Sequence, residues 1–403
     1  MTGSRVAGQS QGGYTTEFVS DPQTDPSRAW VEVDLAALQR NLLRVRAAAP
    51  GAGLVPMLKA NAYGLGTAAV LGAVREALAP DGPWAVGVAA VAEGEALRAL
   101  GWAGRVVVFA PAPPAEYPRA ARAGLALAVS ELDAAERWAA CAREAGKRLA
   151  FHAEIDTGMG RAGFPAGAAA EWGPRLAALT GDLLAWEGCF THFHSADEPD
   201  LGPTDEQVRR FRAALALLPP EPEGAPRRLL HCANSAAALR RGGYGMDLVR
   251  PGIFLYGGAA GPGVVPEPVA ALRARVGLVR RVPPGHTVGY GATYAARRAE
   301  VWATLAVGYG DGLPRALAPA GGEALLNGRR APLVGRISMD MTVADVTDVP
   351  GVRAGDIATL FGRDGAGEIG VDEVAARVGT ISYEILTGLT GRLPRVYAGG
   401  SNP

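Results

Sequence analysis

From Arg28 to about Gly258, short apolar runs alternate with longer segments in which apolar and charged positions recur at helical spacing. The runs are Leu54–Lys59, Trp84–Ala89, Val106–Phe109, Leu125–Val129, Leu149–Ile155, Gly188–His192, Leu229–Cys232 and Asp247–Arg250. Each has the length of a buried strand rather than of a helix. Between them, segments such as Glu93–Leu100 and Asp133–Ala145 put apolar residues on one face and charges on the other, as a surface helix does. Strand–helix alternation predicts a parallel sheet with helical crossovers. Eight such units in about 220 residues fit an α/β (β/α)₈ TIM-like barrel, with a doubly wound open sheet as the alternative.

The pattern changes after Gly261-Pro-Gly-Val-Val-Pro-Glu-Pro268, a Pro/Gly-rich stretch that reads as a linker. Beyond it the strand-like runs are Ala274–Val282, Val301–Val307, Ala331–Val334, Thr342–Val346 and Ile357–Phe361, and helical spacing returns only at Val371–Val378. The expected organisation is a flexible tail over 1–27, a barrel over 28–268 that binds a cofactor, and a mostly β C-terminal domain over 269–403. The tail is rich in Gly, Ser, Thr and Gln and lacks the apolar stretch of a signal peptide.

Composition narrows the classes of partner. Lys+Arg and Asp+Glu both number 40, so nothing draws the chain to nucleic acid or to an anionic membrane. No run approaches the roughly 18 apolar residues of a membrane span. The three cysteines, Cys141, Cys189 and Cys232, form no Cys-x-x-Cys pair. That argues against a metal site and a disulfide framework, and fits a reducing, cytoplasmic setting.

Barrel enzymes carry their chemistry at the C-terminal ends of the strands. The first run ends in Lys59, with Asn61 and Tyr63 on the loop that follows. A lysine at the mouth of a buried strand is partly desolvated, which lowers its pKa and frees a neutral amine for Schiff-base chemistry. The fifth run, through Glu154 and Asp156, leads to Arg161; the sixth ends in Thr191, His192 and His194; the seventh in Asn234 and Ser235; the eighth in Arg250, Gly252 and Ile253. In many barrels the last two loops hold a phosphate. Here they offer the Ser235 hydroxyl and the adjacent N–H groups of Gly252 and Ile253, with a glycine that lets the backbone approach an anion. A phosphate site beside a strand-end lysine suggests pyridoxal phosphate.

The chain resembles the alanine racemase family. The matching stretches, in order, are Leu58-Lys-Ala-Asn-Ala-Tyr-Gly64, Asp156-Thr-Gly-Met-Gly-Arg161, Thr191-His-Phe193, Asn234-Ser235, Arg250-Pro-Gly-Ile253, Gly308-Tyr-Gly-Asp-Gly312, Ser338-Met-Asp340 and Ser382-Tyr-Glu384. The resemblance implies a pyridoxal-phosphate barrel enzyme that interconverts L- and D-alanine and supplies D-alanine for peptidoglycan. It implies Lys59 as cofactor-bearing residue and one base, and Tyr309 as the opposing base, reaching the site from the partner in a homodimer. Arg161 is then poised near both bases, and His192 lies beneath the cofactor ring. Arg250 falls at the ring nitrogen, and Asn234 among the cofactor contacts. Tyr63, Ser235, Gly252, Ile253 and Tyr383 fall at phosphate-holding positions, and Met339, with Asp340 beside it, at the substrate site. Broad-specificity or serine racemisation is the alternative. A barrel-type decarboxylase, which pairs the ring nitrogen with an acid and carries a C-terminal cysteine, fits less well. So does a non-enzymatic carrier, which lacks the second domain.

One position departs from the family. Many members carry a carbamylated lysine where this chain has Glu154. We expect Glu154 to supply a comparable carboxylate that orients Arg161. Glu154→Gln should lower turnover and move its pH profile; a variant unchanged in both rules this role out.

Overall fold

The computed structural model describes residues 27–240 and 242–399, so the tail expected over 1–27 lies almost wholly outside the described residues. Eight parallel strands follow in chain order: Gly53–Leu54, Val86–Val88, Val106–Val108, Ala126–Val129, Leu149–Asp156, Leu184–Phe190, Leu229–His231 and Leu248–Val249. The ladder closes on itself. Leu248–Val249 pairs with Gly53–Leu54, Met57 bridges to Gly87, and the amides of Asp247 and Arg250 each donate at 2.9 Å to Leu230 and Ala233. A closed ring leaves no unpaired edge and excludes the open doubly wound sheet. Its strands are short, apolar and buried on both faces, as at Val106, Val107 and Val108.

The helix Leu35–Ala48 precedes the first barrel strand and closes the outer layer. It packs against Thr67–Ala77, Ser235–Arg240 and the turn Ile253–Tyr256, and so stands where an eighth crossover helix would be. The Asp34 carboxylate caps it by accepting from Ala37 N at 2.8 Å. Buried Asn41 ties it to the linker, donating to Glu267 O and accepting from Glu267 N, both at 2.9 Å.

The strands expected after the linker appear as Ala270–Val282, Glu300–Leu305, Arg329–Val334, Thr342–Asp345 and Ile357–Asp364, with the helix Val371–Val378 following. Three further strands, Glu323–Leu326, Gly367–Ile369 and Arg395–Ala398, join the same sheet. One boundary differs from the sequence reading. Ala29–Asp34, placed in the barrel by the 28–268 division, pairs antiparallel with Ala270–Val282 and parallel with Arg395–Ala398. Period-2 burial marks a strand but does not name its partner. Because its neighbours lie more than 200 positions away, nothing local reveals them.

The segment after Lys59 is not the irregular loop that its small residues suggest. Ala60, Asn61, Ala62 and Tyr63 all have φ between 51° and 55°, one turn of left-handed helix in non-glycine residues. Each such residue costs about 1–2 kcal/mol. Local hydrogen bonds offset this. Ala62 N donates to Leu58 O at 3.0 Å, Gly64 N to Ala60 O at 2.8 Å, Ala60 N to Glu93 Oε1 at 2.6 Å and Thr67 N to Asn61 Oδ1 at 3.0 Å. Lys59 and Tyr63, at the two ends of this turn and four positions apart, both line one cavity. Exposed Ala60 tests the strain. Ala60→Gly should stabilise the fold by up to about 1 kcal/mol and Ala60→Val should destabilise it by about 1 kcal/mol or more. The urea midpoint reports both, and opposite shifts rule out the left-handed turn.

Candidate active site

At the C-terminal mouth of the barrel lies a cavity of ≈ 360 Å³. Lys59, Tyr63, Glu154, Arg161, His192, Asn234, Ser235, Arg250, Gly252, Ile253 and Tyr383 all line it. These residues are spread over more than 300 positions, and ring closure brings them together. A larger cavity of ≈ 950 Å³ opens at the opposite mouth, between the starts of the strands. None of the predicted site residues reaches it. The smaller cavity is the candidate site, because the amine, the anion-holding groups and the perturbed histidine converge there.

Lys59 is half-buried, and among the described residues its amine has neither a hydrogen bond nor an ion pair. Burial lowers its pKa, the Arg161 charge lowers it further, Glu93 opposes and Arg250 adds a smaller push down. Both arginines also act on His192. Burial first, then Arg250, Arg161 and Lys59, bring its pKa to about 3, so the ring is neutral at any physiological pH. Arg250 is fully enclosed, and burial draws its pKa down to about 10, still charged at neutrality. It donates through Nη1 to His231 Nδ1 at 2.8 Å and through Nη2 to Thr191 O at 2.9 Å and Cys232 O at 3.3 Å. The Phe109 and Phe190 rings lie 5.6 and 5.3 Å from its guanidinium carbon and, with centroids 5.4 Å apart, pack against the cation from one side.

Opposite the lysine is a set of donors suited to a phosphate. Tyr63 stacks on Tyr256 with ring centroids 4.4 Å apart, and Tyr256 Oη is anchored by donating to Met57 O at 2.7 Å. Burial raises the pKa of Tyr63 well above the phenol range and pushes Tyr383 up to about 12. Both phenols therefore keep their protons, and among the described residues neither hydroxyl has a hydrogen-bond partner. Ser235 Oγ accepts from Gly252 N at 2.8 Å, leaving its own proton to donate. Glycine is required at 252, since a Cβ there would stand 2.3 Å from Tyr63 Oη. Ile253 opens a 3₁₀ turn, whose first N–H groups have no partner inside the turn. Asn234 has a structural duty: its Oδ1 accepts from Ala237 N at 3.0 Å and caps the helix Ser235–Arg240.

Glu154 is buried in the same wall. Burial raises its pKa, while Arg250, Arg161 and a 3.3 Å hydrogen bond from Ser130 Oγ oppose the rise. Glu154 and Arg161 form no ion pair among the described residues. The coupling between them is longer-range than direct contact. Arg161 is held by its loop, in which Asp156 Oδ1 accepts from Gly158 N at 2.9 Å and Gly160 N at 3.0 Å.

Tyr309, Met339 and Asp340 do not reach this cavity within one chain. They form a second cluster at the edge of the β domain. Tyr309 N donates to Ser338 O at 3.0 Å, and Gly310 N to Met339 O at 2.9 Å. Fully buried Asp311 binds the pair of loops: it accepts from Gly308 N at 3.0 Å and pairs with Arg28 at 2.5 Å and Arg392 at 3.4 Å. Arg392 also pairs with Asp340 at 2.5 Å. Tyr309 is 39% exposed and Met339 51%, rigidly mounted yet facing outward. Sequence reasoning missed Tyr256, Phe109, His231 and the Arg28–Asp311–Arg392 cluster. Asp311 stands inside the quoted Gly308–Gly312 motif and was the available signal; the others lie in apolar runs with nothing to mark them.

Comparison with known proteins agrees with this arrangement. Residues 33–260 match the family described as "Alanine racemase, N-terminal domain", and 269–397 match "Alanine racemase, C-terminal domain". A protein named alanine racemase from Desulfosudis oleivorans is 37% identical over 387 residues, covering 93% of this chain and 97% of its own. The crystal structure of alanine racemase from D-cycloserine-producing Streptomyces lavendulae superposes with a TM-score of 0.86 at 35% identity, covering 94% of this chain and 98% of that one. That of Bartonella henselae alanine racemase with covalently bound pyridoxal phosphate gives 0.82 at 27% identity, covering 93% and 100%. With both domain families matched in order along nearly the whole length, the chain belongs to the alanine racemase family.

Proposed function

We propose that this protein interconverts L-alanine and D-alanine with pyridoxal phosphate, using Lys59 and Tyr309 as the two bases. The observation that carries the reading is the unpaired, desolvated Lys59 amine, which shares a cavity with the protonated phenols of Tyr63 and Tyr383, the Ser235 hydroxyl and the buried Arg250. These residues fit the cofactor. The phenols and Ser235, with Gly252 and Ile253, would hold the phosphate, neutral His192 would lie against the ring and Arg250 would face its nitrogen. Bound there, pyridoxal phosphate supplies a sink for the electrons of the broken Cα–H bond.

Each base works on one face of the α-carbon. Lys59 Nζ, as a neutral amine, takes or returns the proton on one side, and Tyr309 Oη does so on the other. Arg161 lies near enough to Lys59 to lower its pKa, which keeps more of the amine neutral. Arg250 offers only donors, so its partner nitrogen stays without a proton. That mutes the sink and disfavours decarboxylation and transamination relative to simple proton exchange.

Tyr309 needs a second copy of the chain. Its loop is rigid, exposed and remote from the cavity of its own chain, and Met339, Met341, Tyr290 and Ile381 add exposed apolar surface in the same domain. We infer a homodimer in which each site takes Lys59 from one subunit and Tyr309 and Met339 from its partner. The chain's balanced charge and its cysteine usage support a cytoplasmic setting, where D-alanine would serve peptidoglycan.

Racemisation of a panel of L-amino acids, with α-proton exchange in deuterated water and no CO₂ release, tests the reaction. Fast exchange on alanine is expected; absence of exchange, or faster exchange on serine, overturns the assignment. Lys59→Ala and Tyr309→Phe should each lower kcat by about 10²- to 10⁴-fold. Mixed in equal amounts and allowed to exchange subunits, the two inactive variants should recover about a quarter of wild-type activity, since half the dimers are mixed and each mixed dimer has one intact site. No recovery excludes the shared site. Arg161→Met removes a charge that lowers the Lys59 pKa, so the acidic limb of the rate profile should move to higher pH; an unmoved limb removes Arg161 from this role.

A further inference from the structure

Arg250 is a buried cation with no carboxylate within ion-pairing distance among the described residues, yet one is connected to it through the barrel. Its Nη1 lies 2.8 Å from His231 Nδ1, His231 Nε2 lies 2.8 Å from His152 Nδ1, and His152 Nε2 lies 3.4 Å from Glu187 Oε2. Both histidines are buried. Arginine has donors only, and that fact propagates. His231 Nδ1 must accept, so the His231 proton is on Nε2. His152 Nδ1 must accept that proton's hydrogen bond, so the His152 proton is on Nε2 and points at Glu187. A second proton on either ring would set two donors face to face. The relay therefore runs one way, from Arg250 through His231 and His152 to Glu187.

The surroundings preserve this order. Phe190 stacks on His231 with centroids 5.0 Å apart, and Trp84 stands edge-on to His152 at 5.7 Å, so aromatic surface covers both rings. Residue 188 is glycine where a Cβ would stand 2.4 Å from His152 Nδ1. Glu187 lies by the cavity at the opposite mouth of the barrel, paired with Arg105 at 3.3 Å. Burial alone would raise its pKa, but the bond from His152 and the Arg105 charge hold it below the usual carboxylate range.

We propose that Glu187 is a remote positioning residue for Arg250: its anion accepts the proton that the Arg250-imposed tautomers aim at it, anchoring His152 and His231 and so fixing the guanidinium at the head of the relay. The functional weight of this rests on Arg250 serving the cofactor, as proposed above; the tautomers do not. Glu187 is paired with a solvent-accessible arginine at one mouth, while the group it orients serves the other.

The test is ¹⁵N-histidine NMR on the full-length protein, with and without pyridoxal phosphate. The five histidines of the chain keep assignment tractable. His152 and His231 should each show a proton on Nε2 and a bare Nδ1 in wild type. A proton on Nδ1 of His231 overturns the relay, whatever any variant does. Glu187→Leu should keep the tautomers that Arg250 imposes, shift the His152 Nε2–H resonance and weaken pyridoxal-phosphate binding about fivefold to tenfold, the scale of one lost hydrogen bond. Glu187→Gln, whose amide oxygen still accepts, should restore most of the affinity. Wild-type affinity in Glu187→Leu overturns the proposal. Ordered tautomers in a protein that fails to racemise alanine would sink the functional reading and leave the relay standing.

Discussion

A guanidinium enclosed by the barrel, with two aromatic rings beside it, sets the electrostatics of the cavity around it. Removing such a charge from water costs several kcal/mol unless its donors are well used. Arg250 directs them to two carbonyl oxygens and to the imidazole nitrogens of His231 and, at 3.5 Å, His192 rather than to a carboxylate. The charge is thus solvated but not neutralised, and its field reaches the cavity. It helps keep His192 neutral, adds to the depression of Lys59 and opposes the burial-driven rise of Glu154. A carboxylate in direct contact with Arg250 would cancel much of that field.

The second organising constraint is covalent. Lys59 and Tyr63, four positions apart, both line one cavity, and the backbone between them runs through a left-handed turn. That turn, Ala60–Tyr63, is held in place against its backbone strain by Glu93, Asn61 and the stacked Tyr256. The β domain shows the same division of labour: the Asp311 carboxylate, paired with two arginines, makes the Tyr309 and Met339 loops rigid. Rigid support for exposed side chains accords with the shared site proposed above, since free loops would lose more entropy on docking.

Much of this was legible in the chain. The eight apolar runs appear as strands in order, because parallel barrel strands are buried on both faces and need no alternation to be recognised. Ser235, Gly252 and Ile253 could be singled out from their places at the ends of the last two barrel strands, and ring closure brings them to one cavity. The relay was not: His231 and His152 sit within apolar runs, where a histidine reads as packing, and their link to Arg250 depends on which strands are neighbours. Glu154 was expected to orient Arg161; it lines the cavity, but it forms no ion pair with Arg161 among the described residues, a separation that side-chain placement decides. The strand Ala29–Asp34 fell inside the 28–268 range without being recognised as a strand, and its hydrogen-bond partners lie in the far half of the chain.

By itself, then, the sequence determined the element types, their order and the residue chemistry at each strand end, since these follow from local periodicity and from side chains that have few alternative uses. Only the tertiary structure decided which strand closes the ring, which hand the turn after Lys59 takes, which proton each buried histidine carries, and that Tyr309 lies outside the cavity of its own chain. Those outcomes depend on pairings between residues tens to hundreds of positions apart, and local preference along the chain carries no information about them.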